Sequence, residues 1–307
     1  MKKKYCFTVI IFVFLIYSQA LICLDENKVT LEDFLGEGYL DQFTEIPCEP
    51  LPIHESNIWY HKHQKYQQER IHARNSEESG DLEETTLEPY ILSNNWCGYI
   101  IEDNFEDPSP HSIDNVGGTW EVPALNPTDE NTYCAIWVGI DGFNSPSVQQ
   151  MGTSHNWVNG QQINFAWFQL FPSSGFYLPS FPVEIGDAIG VFIQHLNDDL
   201  FFLYIINYTK NVFAKVPERA SHAPLAQRIS AEWILERPTQ DDSFLPLADF
   251  NTFPFFKCMA TVKGVLTPIF NPLSHQNKFI FMKTNETVFS YPLGIDPSSF
   301  VVIHAPH

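Results

Sequence analysis

The stretch Ser-Ala-Glu-Trp-Ile-Leu-Glu at residues 230–236 decides the fold. Its alternation predicts a β-strand, because successive side chains of a strand point to opposite faces of a sheet. Trp233 then lies on an apolar face, while Glu232, Ile234 and Glu236 share the other face. Two interpretations of that second face stay open. It is either a solvated acidic surface or the lining of a cleft, where buried carboxylates must be paired or used.

Short apolar runs extend this pattern from Ser93 to the end of the chain, and clusters of Pro, Gly, Asn and Asp separate them. Long helical patterns are missing. Turn signals about every 8–12 residues are typical of an antiparallel sandwich or barrel, so we predict one all-β domain over 93–307. The predicted strands are Cys97–Ile101, Thr119–Val122, Tyr133–Ile140, Asn164–Phe171, Ala188–Gln194, Phe201–Tyr208, Ala231–Leu235 and Phe253–Val262.

The N-terminus has the pattern of an export signal. Met-Lys-Lys-Lys at residues 1–4 precedes an apolar run from Phe7 to Ile22. A basic start before a short apolar core predicts a secretory signal peptide, here residues 1–23. The run is short for a membrane span, which needs roughly 20 residues. We therefore expect a secreted protein, or one held in an acidic lumen of the secretory or lysosomal route; an uncleaved anchor is the alternative.

Residues 24–92 differ in composition from the β domain. They carry 16 Asp/Glu against 5 Lys/Arg and few periodic apolar positions. Residues 61–74 are basic and 77–84 are acidic. We interpret 24–92 as a pro-segment and linker, whose basic part covers an acidic cleft as an intramolecular inhibitor and whose acidic part offers a cutting site. A solvated spacer is the alternative.

The formal net charge of −20 excludes binding to a nucleic-acid backbone by charge. Surface carboxylates neutralise at roughly pH 3–4, so such a fold tolerates acid. Of the six cysteines, Cys97, Cys134 and Cys258 fall in the β domain; their number is odd, and we assign no disulfide. Without a CxxC pair or histidines at metal-ligand spacing, we expect no metal site and no cofactor. Asn207 and Asn285 begin N-glycosylation motifs.

Most familiar catalytic motifs are absent. The chain has no HExxH, no GxSxG, no P-loop and no Asp-Thr-Gly or Asp-Ser-Gly, which leaves carboxylates and amides. In Trp-Val-Gly-Ile-Asp-Gly at 137–142, Trp137, Gly139 and Asp141 alternate onto one face. A Trp beside a Gly either leaves a slot that a peptide can enter or is a core Trp beside a bulge. The later strand at 165–171 again places a Trp and an amide, Trp167 and Gln169, on one face.

An ordered set of short motifs resembles the fungal-type glutamic peptidases, the eqolisins. Together the motifs cover nearly all of 93–304, and their order is that of the family. They are Ser-Asn-Asn-Trp-Cys-Gly (93–98), Gly-Thr-Trp-Glu-Val-Pro (118–123), Trp-Val-Gly-Ile-Asp-Gly (137–142), Gln-Met-Gly (150–152), Ala-Trp-Phe (166–168), Gly-Asp (186–187), Ala-Glu-Trp-Ile-Leu-Glu (231–236), Ala-Asp-Phe (248–250) and Ser-Phe-Val-Val (299–302).

The resemblance implies an antiparallel β-sandwich of two packed, roughly seven-stranded sheets, a lectin- or glucanase-like jelly roll with a curved cleft. It also implies a catalytic pair of Gln150 and Glu232. Gln149 is adjacent, but neighbouring strand residues face opposite ways, and only the family register favours Gln150. The resemblance further implies that the cleft binds substrate through Trp137, Asp141, Trp167, Gln169 and Glu236.

Such a pair predicts acid endopeptidase activity on proteins and peptides. The amide of Gln150 stabilises the oxyanion, and ionised Glu232 takes a proton from the attacking water. The family usually has Glu where this chain has Gln169, Thr where it has Met151 and a small residue where it has Cys97; none of these touches the pair.

Two other functions stay open from the residues alone. The first is a carbohydrate-active enzyme that uses Glu232 and Glu236. Their Cα atoms lie about 13 Å apart along a strand, whereas glycosidase carboxylates need roughly 5–9.5 Å. Asp141 with Glu232 is not excluded in this way. The second is a non-catalytic glycan- or peptide-binding module that uses Trp137 and Trp167 as platforms.

Overall fold

The computed structural model of the 307-residue chain describes residues 38–52, 90–218, 221–240, 243–271, 275–284 and 287–305. The regular secondary structure there is strand, apart from one 3-10 turn at Tyr39–Gln42, so the all-β prediction is confirmed. The strands are β1 (Thr44–Glu45), β2 (Leu51–Pro52), β3 (Tyr90–Ser93), β4 (Trp96–Glu102), β5 (Ile113–Glu121), β6 (Thr132–Asp141), β7 (Val148–Val158), β8 (Gln161–Phe171), β9 (Phe176–Leu178), β10 (Ala188–Asn197), β11 (Leu200–Asn207), β12 (Val212–Lys215), β13 (Ser230–Glu236), β14 (Thr239–Gln240), β15 (Ser243–Phe244), β16 (Thr252–Val262), β17 (Val265–Pro268), β18 (Gln276–Thr284), β19 (Thr287–Asp296) and β20 (Ser299–His304).

The strands pair as one continuous ribbon that folds over itself. Its first half runs β9-β8-β7-β6-β13-β4-β18, and its second half runs β19-β20-β16-β5-β10-β11-β12. The pairing of β18 with β19 joins the halves. Each half has about the predicted number of strands, but the two sheets are not separate, because hydrogen bonding continues from one into the other. Only β14 and β15 form a sheet of their own among the described strands.

The two halves face each other across an apolar core. Trp233 on β13 donates its indole N–H to the carbonyl of Gly117 on β5 at 2.8 Å. Trp120 on β5 donates to the hydroxyl of Thr153 on β7 at 2.9 Å. Both indoles are fully buried. Each therefore stabilises the packing of the two halves in two ways, through its large buried apolar area and through its satisfied N–H group.

The outer face of the first half is also buried. Glu232 and Glu236 lie on it, as the alternation predicts, but both are inaccessible to solvent. A solvated acidic surface is therefore the wrong interpretation of this face. A second apolar cluster, including Trp96, Trp137 and Trp167, shares the face and surrounds these carboxylates with low-dielectric material.

The N-terminal residues 38–52 pair with the edges of the ribbon. β1 lies parallel to β12, and β2 lies antiparallel to β9. The chain returns as β3, which is parallel to β18. The predicted signal peptide (1–23), residues 24–37 and 53–89 of the predicted pro-segment, and the basic stretch 61–74 lie outside the described residues. Within the described part, no helix is long and apolar enough to cross a membrane.

Candidate active site

Four neighbouring strands bring the predicted catalytic pair onto one face. Glu232 on β13 lies opposite Gly139 on β6, Gly139 lies opposite Gln150 on β7, and Gln150 lies opposite Gln169 on β8. Two strand spacings separate Glu232 from Gln150, so their backbones are about 10 Å apart. The four residues form a row on the outer face of the first half, and the buried surface around Gly139 is called the groove below.

Gln149 belongs to the other face. It lies opposite Ile140, which is in the core between the halves, and its amide nitrogen donates to the Ser147 hydroxyl at 3.2 Å. The one-residue alternation of β7 therefore separates the two glutamines as predicted. Only Gln150 shares a face with Glu232.

Trp137 closes the space beside Gly139. A Cβ added to Gly139 would lie 2.8 Å from Cζ3 of Trp137, well inside van der Waals contact. A Cβ at Gly152, in register with Trp137, would lie 2.6 Å from Trp137 Cβ. The interpretation as an open slot for a peptide is therefore wrong: the indole lies against both glycines and forms the floor of the groove.

Glu232 is a buried carboxyl with one satisfied oxygen. The Ser230 hydroxyl donates to Oε1 at 2.5 Å, and the backbone N–H of Phe143 donates to the same oxygen at 3.4 Å. Oε2 has no hydrogen-bond partner. Burial raises the pKa of Glu232 well above its ordinary value, and the negative charges of Asp141 and Glu102 raise it further. The two hydrogen bonds to Oε1 lower the pKa but do not outweigh burial.

Gln150 is held by Gln169. Its Nε2 donates to Oε1 of Gln169 at 3.1 Å, and Gln169 donates in turn to the carbonyl of Ser173 at 2.9 Å. An amide nitrogen carries two hydrogens, so this contact leaves Gln150 one donor to offer to a ligand. Gln169 thus contacts and orients Gln150, so the expectation that the departure at Gln169 does not touch the pair is wrong.

Asp141 ends β6 in a left-handed conformation with φ 64°. Its Oδ2 accepts the backbone N–H groups of Gln227 and Arg228 at 2.7 and 2.9 Å, and its Oδ1 accepts that of Ile229 at 3.0 Å. Burial raises its pKa, while these three N–H donors lower it. Its oxygens hold the chain that leads into β13, while the substrate contact of Asp141 stays a prediction.

Glu236 is tied to the floor of the groove. Oε2 accepts the Trp137 indole N–H at 2.9 Å, and Oε1 accepts Nδ2 of Asn95 at 3.2 Å. Trp167 lies two positions along β8 from Gln169 and opposite Gly152, which places its buried ring on the same face. The predicted set of groove residues is therefore brought together, with Glu236 as a supporting carboxylate.

Sequence reasoning missed Ser230, Asn95 and Glu102. Ser230 donates a hydrogen bond to Glu232, and Asn95 donates one to Glu236. The signal available in the sequence was that each is a polar residue within or next to a motif. Glu102 on β4 pairs with Ser230 in register. It is fully buried, and neither carboxylate oxygen has a hydrogen-bond partner. Burial raises the pKa of Glu102 to about 8, against the opposing charge of Lys278.

The first predicted glycosylation site conflicts with the fold. Asn207 is fully buried, and its Nδ2 donates to Asp187 at 2.7 Å and to the Pro182 carbonyl at 3.1 Å. This nitrogen has no access to a glycan in the folded protein, so we correct that prediction. The second site, Asn285, lies outside the described residues.

Among the described residues, the cysteines form no disulfide and no metal-ligand group is found. Cys48, Cys97, Cys134 and Cys258 are free thiols. No group of three His, Cys, Asp or Glu side chains in the described ranges is arranged to hold a metal ion. The row across the groove places an amide, Gln150, and a carboxyl, Glu232, on one face of the sheet.

Comparison with known proteins identifies the family. Residues 94–294 match the model of the Peptidase A4 family. Aspergillopepsin-2 from Aspergillus niger is 26% identical over 204 residues, which cover 60% of this chain and 69% of the relative. Scytalido-glutamic peptidase, solved with a peptide-based transition-state analogue, has a similar fold with a TM-score of 0.55 at 20% identity, over 69% of this chain and 98% of that one. SCP-B, described as an eqolisin in complex with a tripeptide, gives a TM-score of 0.52 at 19% identity over the same shares. Because the family model spans about two thirds of the sequence, this chain belongs to the Peptidase A4 family and is a peptidase, a hydrolase that cuts peptide bonds.

Proposed function

We propose that this peptidase is a secreted acid endopeptidase, made as an inactive precursor, in which Gln150 and Glu232 form the catalytic pair. The observation that carries the proposal is the row Glu232–Gly139–Gln150 across the groove. A carboxyl and an amide face the same space from either side of a residue without a side chain. A peptide bond lying over Gly139 is then within reach of both groups.

Gln150 supplies the electrophilic half of the mechanism. When water attacks the peptide carbonyl, negative charge develops on the carbonyl oxygen. The amide hydrogen of Gln150 that Gln169 does not take stabilises this oxyanion without introducing a charge. Because Gln169 already holds the amide, little reorganisation is needed during the reaction.

Glu232 supplies the proton transfers. Ser230 and Phe143 fix Oε1, which leaves Oε2 to take a proton from the attacking water and pass it to the leaving nitrogen. The base must be ionised, yet burial raises the pKa of Glu232 and keeps it neutral in acid. Exposure of the groove to water would remove this desolvation and lower the pKa. Ionisation of the base is thereby linked to opening of the groove.

The inaccessibility of the pair supports a precursor. Glu232 is 0% and Gln150 is 1% exposed in the whole chain, so a substrate has no access to them. We assign inhibition to residues 24–92, whose basic part at 61–74 would be attracted to the acidic excess of the β domain at neutral pH and released as its surface carboxylates are protonated. The signal-like segment 1–23 supports entry into the secretory route.

The remaining groove residues act on substrate position. Trp167 offers an apolar surface beside the pair. Trp137 forms the floor, and Glu236 fixes the Trp137 indole. Asp141 holds the chain that leads into β13. Membership of a peptidase family favours this assignment over the carbohydrate-active and non-catalytic alternatives.

Digestion of a denatured protein by the full chain tests the proposal. The purified chain is acidified to allow processing, and cleavage is followed from pH 2 to pH 8. Gln150→Ala and Glu232→Gln should each lower kcat by at least about a hundredfold. Gln149→Ala is the matched control, because it removes a neighbouring amide from the opposite face. Undiminished cleavage by either variant of the pair would refute the dyad.

The inhibitory role of the pro-segment has a separate test. A synthetic peptide of residues 61–74 is added to the processed enzyme at neutral and acid pH. Inhibition at neutral pH that weakens in acid supports the assignment. Activity that is unchanged at every pH refutes it, and leaves the dyad untouched.

A further inference from the structure

Residues 38–52, here called the strap, join two distant edges of the folded ribbon. β1 adds to the edge strand β12 of the second half, and β2 adds to the edge strand β9 of the first half. The pairing on β9 is direct: Leu51 lies opposite Tyr177, and Pro52 lies opposite Phe176. The edge of β9 thus already holds a short extended peptide, supplied by the protein itself.

The strap contacts the second half through an aromatic pair, backbone hydrogen bonds and an ion pair; the rings of Phe43 and Tyr208 lie 5.9 Å apart in an edge-on arrangement. The backbone N–H groups of the strap at Thr44 and Ile46 donate to the carbonyls of Asn211 and Phe213 at 2.9 and 2.7 Å. Glu45 forms an ion pair with Lys215 at 3.2 Å, with both side chains about half exposed. A pair so exposed contributes little to binding.

The strap depends on its covalent connection to the domain. None of its fifteen residues is buried, and each pairing with the ribbon has only two residues per strand. Two weak contacts on one chain bind well only because the second contact is intramolecular. A cut between residues 52 and 90 would leave the strap without that advantage, and we expect it then to dissociate and uncover β9.

The edge of β9 lies next to the groove. Tyr177 on β9 is opposite Trp167 on β8, on the same face as the catalytic row. Gln169 links the turn before β9 to Gln150 of the proposed pair. Its amide nitrogen donates to the Ser173 carbonyl, and its amide oxygen accepts a hydrogen bond from Gln150. Three strand spacings, about 14 Å, separate β9 from Gly139. That distance is about four residues of extended chain.

We propose that the uncovered edge of β9 is a peptide-binding edge, which receives an extended segment of an unfolded polypeptide substrate by strand addition. The inference rests on the proposed function and extends it by naming a second binding site and its ligand class. Main-chain groups of an edge strand bind any extended segment with little regard to sequence. Such a site favours unfolded proteins and long peptides over short ones, and the strap occupies it in the uncut chain.

A reversible disulfide tests this proposal. Leu51 and Tyr177 are directly opposed in an antiparallel pair, where Cα atoms are 4.5–5.5 Å apart and a disulfide fits. The variant Leu51→Cys/Tyr177→Cys carries a specific protease site after Gly80, so that the linker can be cut while the strap stays locked on β9. Reduction then releases the strap. The described native cysteines are free, so the reductant breaks no other described bond. Tyr177→Cys alone controls for loss of the tyrosine.

Two substrates separate the outcomes. A hexapeptide cleaved at its centre reaches about 10 Å to either side and stops short of β9. A denatured protein reaches both sites. We expect the locked form to have a KM for the denatured protein at least about fivefold above that of the reduced form, with hexapeptide kinetics unchanged. Equal changes for both substrates, or no change for either, would overturn the proposal.

Binding separates this proposal from the dyad. In a Glu232→Gln background, which abolishes proton transfer, a fluorescent twelve-residue peptide should bind the reduced form at least about fivefold more tightly than the locked form. Equal affinity for the two forms refutes the β9 site. Failure of the unsubstituted protein to cleave any substrate refutes the proposed function, while the binding comparison still tests the edge.

Discussion

Trp137 donates its indole N–H to Oε2 of Glu236 at 2.9 Å, which ties β6 to β13 beneath the groove. The Trp137→Phe variant keeps an aromatic ring but leaves a buried carboxylate oxygen without this donor. We expect a loss of about 1–3 kcal/mol in the free energy of unfolding, measured by urea denaturation. Trp157→Phe is the control: its indole donates to a neutral carbonyl at a partly buried position. If Trp137→Phe and Trp157→Phe lose the same free energy of unfolding, the carboxyl acceptor of Trp137 contributes no more to stability than a backbone carbonyl does.

Gln169 orients Gln150, so its replacement should affect kcat more than KM. Gln169→Leu removes the acceptor that holds the Gln150 amide and should lower kcat about tenfold. Gln169→Glu keeps an acceptor and should retain activity in acid. It should lose activity as the new carboxyl ionises, because a negative charge then opposes the oxyanion. If the pH–rate profiles of Gln169→Glu and of the unsubstituted protein fall in parallel, this role of Gln169 is contradicted.

Glu102 should make the fold more stable in acid than at neutral pH. Its pKa is raised from 4.5 to about 8 by burial, so the folded chain holds a proton that the unfolded chain has already released. Its stabilising contribution is full below pH 4.5 and is lost as the pH rises towards 8. Glu102→Gln should flatten the stability profile over this window, as followed by thermal unfolding. A profile identical to that of the parent would mean that the carboxyl is ionised in the folded state.

His155 should have the opposite effect. It is fully buried between Thr153 and Asn164, and burial lowers its pKa from 6.5 to about 4. The unfolded chain therefore binds a proton that the folded chain refuses. Stability falls as the pH drops from 6.5 to 4, by roughly 3 kcal/mol at about 1.4 kcal/mol per pKa unit. His155→Gln should remove this loss, seen as a smaller fall in unfolding temperature between pH 6.5 and 4 than in the parent.

The sequence predicted those features that depend on alternation. The strand at 230–236 and the opposite orientations of Gln149 and Gln150 follow from the period of two along a strand, and all eight predicted strands are present. The order of the motifs predicted the family, because an ordered set of short motifs is specific even though each single motif is a weak signal.

Features that depend on distant strands could not be predicted. The burial of Glu232 and Glu236 requires the second apolar cluster, whose members come from several strands. The choice between an open slot beside Gly139 and a core Trp137 could not be made from the sequence, because the direction of the Trp137 ring is set by packing and not by sequence spacing. The pairing of β2 with β9 could not be predicted, because β2 has only two residues and shows no alternation.

The row of Glu232, Gly139, Gln150 and Gln169 draws its members from β13, β6, β7 and β8, of which the first lies some eighty residues beyond Gln150 along the chain. Pairing between segments so far apart is completed late, since loop-closure entropy must be overcome first. A nascent or half-folded molecule consequently has no working site. Chain topology therefore delays any activity of this row until the domain has folded.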